Sequence, residues 1–142
     1  MNEFLLIAAA LPLAVVALGL RKVPAQRVMT VRRLGRYRRT LAPGWHWIAP
    51  GIDRAGLKVD LLNHHLHVSG NDSRHQAEFY YQIVEPEKAG ETLDRVDDWV
   101  ASQAREAMAE TGQSPDQLKT ELNRRVGGMG LRVIRCSLHI AA

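Results

Sequence analysis

Between Arg33 and Leu62 the chain reads RLGRYRRTLAPGWHWIAPGIDRAGLKVDLL, and its punctuation limits what can form there. Gly35 marks a turn between basic residues. Pro43-Gly44 and Pro50-Gly51 bracket Trp45-His46-Trp47-Ile48, an apolar segment about one β-strand long. Gly44 is expected at a positive φ, which a residue with a side chain resists. Large aromatics held between two rigid corners read as a core or membrane-facing strand before they read as a ligand pocket.

The flanking sequence continues in the same style. Val28, Thr30 and Val31 form a short β-type run before the Gly35 turn. Leu57, Val59 and Leu61 alternate with Lys58 and Asp60. The phase then slips, so that Leu62, His64, Leu66 and Val68 share one side, and a bulge or bend is expected at the slip. Ser69-Gly70-Asn71-Asp72-Ser73 has the composition of a turn. Beyond it Ala77, Phe79, Tyr81 and Ile83 alternate with Glu78, Tyr80 and Gln82, the pattern of a half-buried strand. Leu93, Val96, Val100, Ala104, Ala107 and Met108 recur at helical spacing, with Gly112 as a stop. Ser114-Pro115 opens a second helix whose buried face is Leu118, Leu122 and Val126, and Gly127-Gly128 ends it. In the last strand Ile134, Cys136, Leu138 and Ile140 lie on one side, with Val133, Arg135, Ser137 and His139 on the other. Strands, then helices, then a strand make an α+β arrangement. With 142 residues there is room for one domain with a modest core.

Charge is unevenly spread. From Phe4 to Ile52 the chain has no Asp or Glu, yet it carries Arg21, Lys22, Arg27, Arg32, Arg33, Arg36, Arg38 and Arg39. From Asp53 onward there are 14 acidic and 11 basic residues. Ahead of the basic block, Phe4 to Leu20 reads FLLIAAALPLAVVALGL, seventeen residues without a charge. That length falls at the lower end of the roughly 17 to 25 residues of a spanning helix. No basic residue precedes the run, so it reads as an uncleaved anchor instead of a signal peptide. The Arg-Lys that follows puts the remainder on the cytoplasmic side. A basic block beside an apolar one points to a lipid surface before it points to nucleic acid.

The central stretch also carries a resemblance. Leu34-Gly35, Tyr37, Arg39-Thr40-Leu41, Pro43-Gly44, His46, Pro50, Ile52-Asp53-Arg54 and Lys58-Val59-Asp60-Leu61 match in order the opening of the SPFH domain, the module of stomatin, prohibitin and flotillin. Tyr80, Tyr81, Val84, Pro86, Lys88 and Ala89 resemble that family's next strand, and Gly130 to Ile140 its terminal one. The family usually has a longer connection than Ser69 to Gln76 allows, so a tighter hairpin is expected here. The resemblance implies a small SPFH-like α+β domain over residues 23–142, of antiparallel or mixed strands with two or three helices. One N-terminal membrane helix, within residues 1–22, would precede it. It also implies a single-pass protein of the cell inner membrane acting as a scaffold or adaptor. Partners would be membrane lipids and membrane proteins, such as an AAA protease or an NfeD-type protein. No heptad repeat of the family's assembly helix is present, so small homo-oligomers are expected in place of large rings.

The residues assigned to the lipid surface are Arg21, Lys22, Arg27, Arg36, Arg38, Arg39, Trp45 and Trp47. The rival reading is a peripheral module that uses the same arginines on a nucleic-acid backbone, with Tyr37 interleaved. No helix-turn-helix or zinc-finger pattern accompanies it, and nucleic acid is not expected as a partner. His64, His65 and His67 suggest a metal, with His75 as a further candidate ligand. A strand, however, places only His65 and His67 on one face, so no metal is assigned. Asp97-Asp98 reads as a solvated helix face. Cys136 alone makes no disulfide framework and reads as a small core residue. No nucleophile elbow or phosphate loop occurs, and Gly127-Gly128-Met129-Gly130 follows a helix where a phosphate site would precede one. Neither catalysis nor a cofactor is expected.

Overall fold

The computed structural model describes residues 2–71, 74–111 and 114–140. The chain divides into two compact units, one ending at Lys58 and one beginning at Val59.

The first unit opens with helix α1 (Asn2–Gly19), which runs through Pro12. Its alanines and leucines are strong helix formers. Strands β1 (Leu20–Val23) and β4 (Gly44–Trp47) pair antiparallel as a two-stranded ribbon. Strands β2 (Arg27–Arg33), β3 (Arg36–Leu41) and β5 (Asp53–Asp60) form a sheet in the order β3-β2-β5. Leu34 and Gly35 join β2 to β3 with φ of 49° and 82°. Two successive positive φ values are the signature of the hairpin turn whose twist matches the flanking strands. Gly44 takes the expected positive φ, at 131°. Val23, Met29, Val31, Leu41 and Ile48 make the core of this unit.

The expected membrane-spanning helix is not supported. Leu20, the last residue of the apolar run, is drawn into β1 opposite Trp47. Phe4 to Gly19 leaves sixteen apolar residues in the helix. At about 1.5 Å each they cover about 24 Å, short of a hydrocarbon core of about 30 Å. Among the described residues no helix is long and apolar enough to cross a membrane.

In the second unit β6 (His64–Ser69), β7 (His75–Ile83) and β8 (Leu131–Ile140) form an antiparallel sheet with β7 in the middle. The phase slip read from the sequence is a corner between separate strands, with Asn63 at φ 62°. The β6–β7 hairpin is closed by Ser69 opposite Gln76 and by the Gly70 N–H donating to the His75 carbonyl at 2.7 Å. Of the turn residues named above, Asp72 and Ser73 lie outside the described residues, as does Gly112, the expected helix stop.

The alternation in β7 is as expected: Ala77, Phe79, Tyr81 and Ile83 are buried. Helices α2 (Pro86–Ala89), α3 (Val96–Thr111) and α4 (Pro115–Val126) follow, with a 3-10 turn over Gly90–Arg95 between the first two. Helix α3 packs on β6 and α4 on β8. They bury Val96, Val100, Ala104, Ala107, Leu118, Leu122 and Val126. Ser114 stands at the start of α4 with Pro115 inside it, but its side chain makes no capping bond. The two helices are joined by charge. The Arg125 guanidinium, largely enclosed, reaches Glu121 at 2.8 Å, Glu106 at 3.1 Å and Glu110.

Strand β8 departs from a simple alternation. Tyr80 faces Arg135 and Tyr81 faces Val133, so Ile134 is an extra residue, a β-bulge. The bulge shifts the phase, so that Val133 and Cys136 both face the buried side, opposite Tyr81 and Phe79. The sequence reading had put them on opposite sides. Burial pushes the Cys136 thiol up to about 11, the behaviour of a packing residue. At the bulge the Asn123 side chain acts as a surrogate strand edge. Its carbonyl accepts from the Val133 N–H at 2.8 Å, and its NH2 donates to the Val133 carbonyl at 3.2 Å.

Gly130 is the tightest corner of this unit. Its φ is +72°, and a Cβ there would lie 2.2 Å from the Glu85 carbonyl oxygen. Its own carbonyl accepts from the N–H groups of Val84 and Glu85. Nothing lies within 4 Å of a Cβ built at Gly128. Gly130→Ala should therefore destabilise the protein by about 2 kcal/mol or more. Gly128→Ala should stay within about 0.5 kcal/mol of the parent. Urea unfolding of the two variants measures the difference.

Candidate functional site

Strand pairing decides which of the predicted surface residues meet. Directly opposed residues of an antiparallel pair share a face. In the β1–β4 ribbon Leu20 faces Trp47 and Lys22 faces Trp45. One face therefore carries Leu20, Lys22, Trp45 and Trp47. Trp45 is 64% exposed, Trp47 44% and Leu20 48%. The two tryptophans are thus not core residues. The Lys22 ammonium sits 5.6 Å from the Trp45 ring centre, a cation–π distance. Arg21 is exposed on the opposite face beside His46, whose Nε2 lies 2.7 Å from the Ala42 carbonyl.

Helix α1 ends directly against this ribbon. The Ile48 N–H donates to the Gly19 carbonyl at 2.9 Å. A Cβ on Gly19 would lie 2.4 Å from both the Ile48 carbonyl oxygen and the Trp47 indole nitrogen. Only glycine permits that approach. Helix α1 presents Phe4, Leu5, Leu6, Ile7, Leu11 and Leu13, all of them exposed. The helix has no polar face from Phe4 to Gly19. Its apolar surface runs into that of Leu20, Trp45 and Trp47.

The remaining basic candidates do not all join this cluster. Arg39 donates to the Trp47 carbonyl at 3.0 Å and so ties β3 to the ribbon. Arg36 lies beside the tip of the β2–β3 hairpin, and Arg27 begins β2 at the far end. Arg38 is the unpaired residue of a β-bulge, since Val31 faces Arg39 and Arg32 faces Tyr37. All three are exposed. Leu34, at the hairpin tip, is 85% exposed at a φ that a leucine rarely adopts.

Sequence reasoning missed one contributor to this surface, Leu20. Leu20 had been assigned to the helix; its place on the Trp47 face follows only from the pairing register. It also missed the latch beneath the surface. The Arg33 guanidinium grips Asp53 through two bonds of 2.6 and 3.0 Å, and Asp53 also accepts from the Ala49 N–H at 3.2 Å. The two-point fit is the geometry arginine offers a carboxylate.

In the second unit the histidines fall into two groups. His64 stacks on Tyr81 at 4.7 Å, its Nδ1 is 3.1 Å from Asp97 and its Nε2 is 2.6 Å from the Asp60 carbonyl. The Tyr81 hydroxyl donates to the same Asp97 carboxylate. Burial, and then the Asp97 carboxylate, push the Tyr81 phenol upward and hold it as a donor. Asp97 is therefore more than a solvated residue, because it joins α3 to β6 and β7. His65 and His67 lie on the other face with Glu78, and ligand atoms of the three are all within 4.8 Å of one another. His75, the extra ligand considered from sequence, pairs instead with Ile140 at the sheet's end.

No family model matches the chain.

The Arg33 guanidinium holds the Asp53 carboxyl down at about 2. In the unfolded chain a carboxyl of this type titrates near 4. A lowered folded value adds stability above the unfolded value, and that stability is lost as pH falls through the folded one. The Asp53 contribution should thus be complete above about pH 4 and vanish toward pH 2. Glu121, held to about 2 chiefly by Arg124 and then Arg125, adds a second loss over the same window. Arg33→Gln should flatten the acid side of the stability profile without abolishing it. Urea midpoints taken from pH 5 to pH 2 test this, and an unchanged slope would count against the latch.

Proposed function

We propose that this protein is a scaffold or adaptor of the SPFH, stomatin-like kind that attaches to a lipid surface without crossing it. The observation that carries the reading is the continuous apolar surface of α1, Leu20, Trp45 and Trp47, with Lys22 on the same face and Arg21 on the reverse face of the ribbon. A helix apolar on every side needs a cover. Tryptophan is favoured at the boundary between acyl chains and headgroups, and basic residues favour anionic headgroups. With α1 in one leaflet, Trp45 and Trp47 take the interfacial level, Lys22 beside them meets phosphates, and Arg21 on the reverse face of the ribbon adds positive charge at the same level. Leu34, held outward between Arg33 and Arg36, supplies a second apolar contact.

The SPFH-like spacing from Leu34 to Leu61 supports an adaptor in place of an enzyme. On that reading the attached face is the cytoplasmic face of the inner membrane. The partners are then lipids and membrane proteins, among them an AAA protease or an NfeD-type protein as the resemblance suggests.

Sedimentation with vesicles tests the attachment. The full chain should pellet with anionic phosphatidylglycerol vesicles and bind neutral phosphatidylcholine more weakly. Arg21→Gln with Lys22→Gln should cost about 2 kcal/mol on anionic vesicles, roughly 30-fold in affinity, and less at high salt. Trp45→Ala with Trp47→Ala should weaken binding to both vesicle types. Equal binding of all variants, or a preference for duplex DNA over vesicles, would overturn the reading.

A further inference from the structure

The exposed face of the β6-β7-β8 sheet carries a constellation that surface attachment leaves unused. His65 and His67 lie two residues apart on β6, on one face. Glu78 stands directly opposite His67 on β7. On the far side of β7, His139 of β8 faces Gln76, two positions along from Glu78 and on the same face. Three strands thus bring three imidazoles around one carboxylate. We propose that His65, His67, Glu78 and His139 bind one divalent transition ion of the zinc class.

The distances carry the argument. His67 Nδ1 lies 3.3 Å from Glu78 Oε1, and the Nε2 atoms of His65 and His139 each lie 3.9 Å from Glu78 Oε2. In a tetrahedral site with bonds of about 2.0 to 2.1 Å, neighbouring ligand atoms are about 3.3 to 3.4 Å apart. His67 already stands at that separation from Glu78, while His65 and His139 each stand about half an ångström beyond it. The ligand atoms of His65, His67 and Glu78 lie within 4.8 Å of one another, and His139, outside that group, closes the site by turning its ring toward Glu78. Part of it is already oriented. The His65 ring stacks on Tyr80 at 4.4 Å with an interplanar angle of 13° and meets the His67 ring edge-on at 4.3 Å. Glu78, flanked by all three histidines, is the most shielded of the four side chains.

The donor set selects the ion. Magnesium and calcium take oxygen ligands, and a set of three imidazoles with one carboxylate does not suit them. Imidazole nitrogen suits zinc, nickel and copper, and without a thiolate the softer copper(I) is disfavoured. An ion here would cross-link β6, β7 and β8 on the face opposite the helices. It would clamp the sheet from the side that the hydrophobic core does not reach.

The test uses the full chain without a histidine tag, stripped with EDTA. Titration with zinc chloride against a chromophoric chelator should give one zinc per chain, with a dissociation constant in the micromolar range or tighter. Zinc should also raise the Tm by several degrees, and magnesium should not. Glu78→Gln and His67→Ala should each weaken zinc binding at least about tenfold. His46→Ala, which alters a histidine of the other unit, should leave it unchanged. Loss of binding in His46→Ala, full binding in both Glu78→Gln and His67→Ala, or absence of zinc uptake would each overturn the site. Should a variant fail to fold by circular dichroism, cobalt(II) in the parent chain decides. Intense visible bands of a tetrahedral nitrogen and oxygen set support the site, and the weak bands of a hydrated ion refute it. Neither outcome depends on vesicle binding.

Discussion

A β-strand can satisfy both rows of its backbone groups only with a partner on each edge, and β7 has β6 on one side and β8 on the other. That pairing governs the second unit. Because side chains alternate along a strand, β7 sends Ala77, Phe79, Tyr81 and Ile83 to one face. Buried there, they give α3 and α4 a surface to cover. Glu78 and Tyr80 go to the other face, where the same register sets them against His65 and His67. Core and cluster are two consequences of one alignment. A slip of one residue would exchange the faces and remove both.

The first unit turns on a different constraint, the close approach of α1 to β4. Gly19 has no side chain, so its carbonyl can accept from Ile48 while the Trp47 indole lies alongside. The helix then stops where the strand begins. That stop makes the helix too short to span a bilayer, and it joins the helix surface to the ribbon that carries the tryptophans. Deeper in this unit the Arg33–Asp53 pair holds the acidic residue that ends the long basic block. That carboxylate is held within the fold by Arg33 and the Ala49 N–H.

Much of the architecture is legible in the residues. The buried strand of β7, the apolar stripes of α3 and α4, the Gly35 turn and the positive φ at Gly44 follow from local spacing and from what glycine alone tolerates. Local reasoning failed where a contact distant in sequence overrode it. Leu20 belongs by composition to the apolar helix, yet pairing with Trp47 draws it into a strand. Val133 and Cys136 belong by parity to opposite faces, yet the bulge at Ile134 brings them together, with Asn123 bonding the strand just before it. Asp97 looked like a solvated helix residue until Tyr81 and His64 were placed against it.

By itself the sequence determined where most of the strands and helices run, that the first third of the chain is both apolar and basic, and that two histidines share a face. These are properties of neighbours, set by periods of about 2 and 3.6 residues and by backbone sterics. Only the tertiary structure decided where α1 ends and which residues join the tryptophans. It also decided that Glu78 and His139 stand beside His65 and His67. Strand register fixes those meetings, and register depends on hydrogen bonds and burial between segments too far apart for any local period to connect.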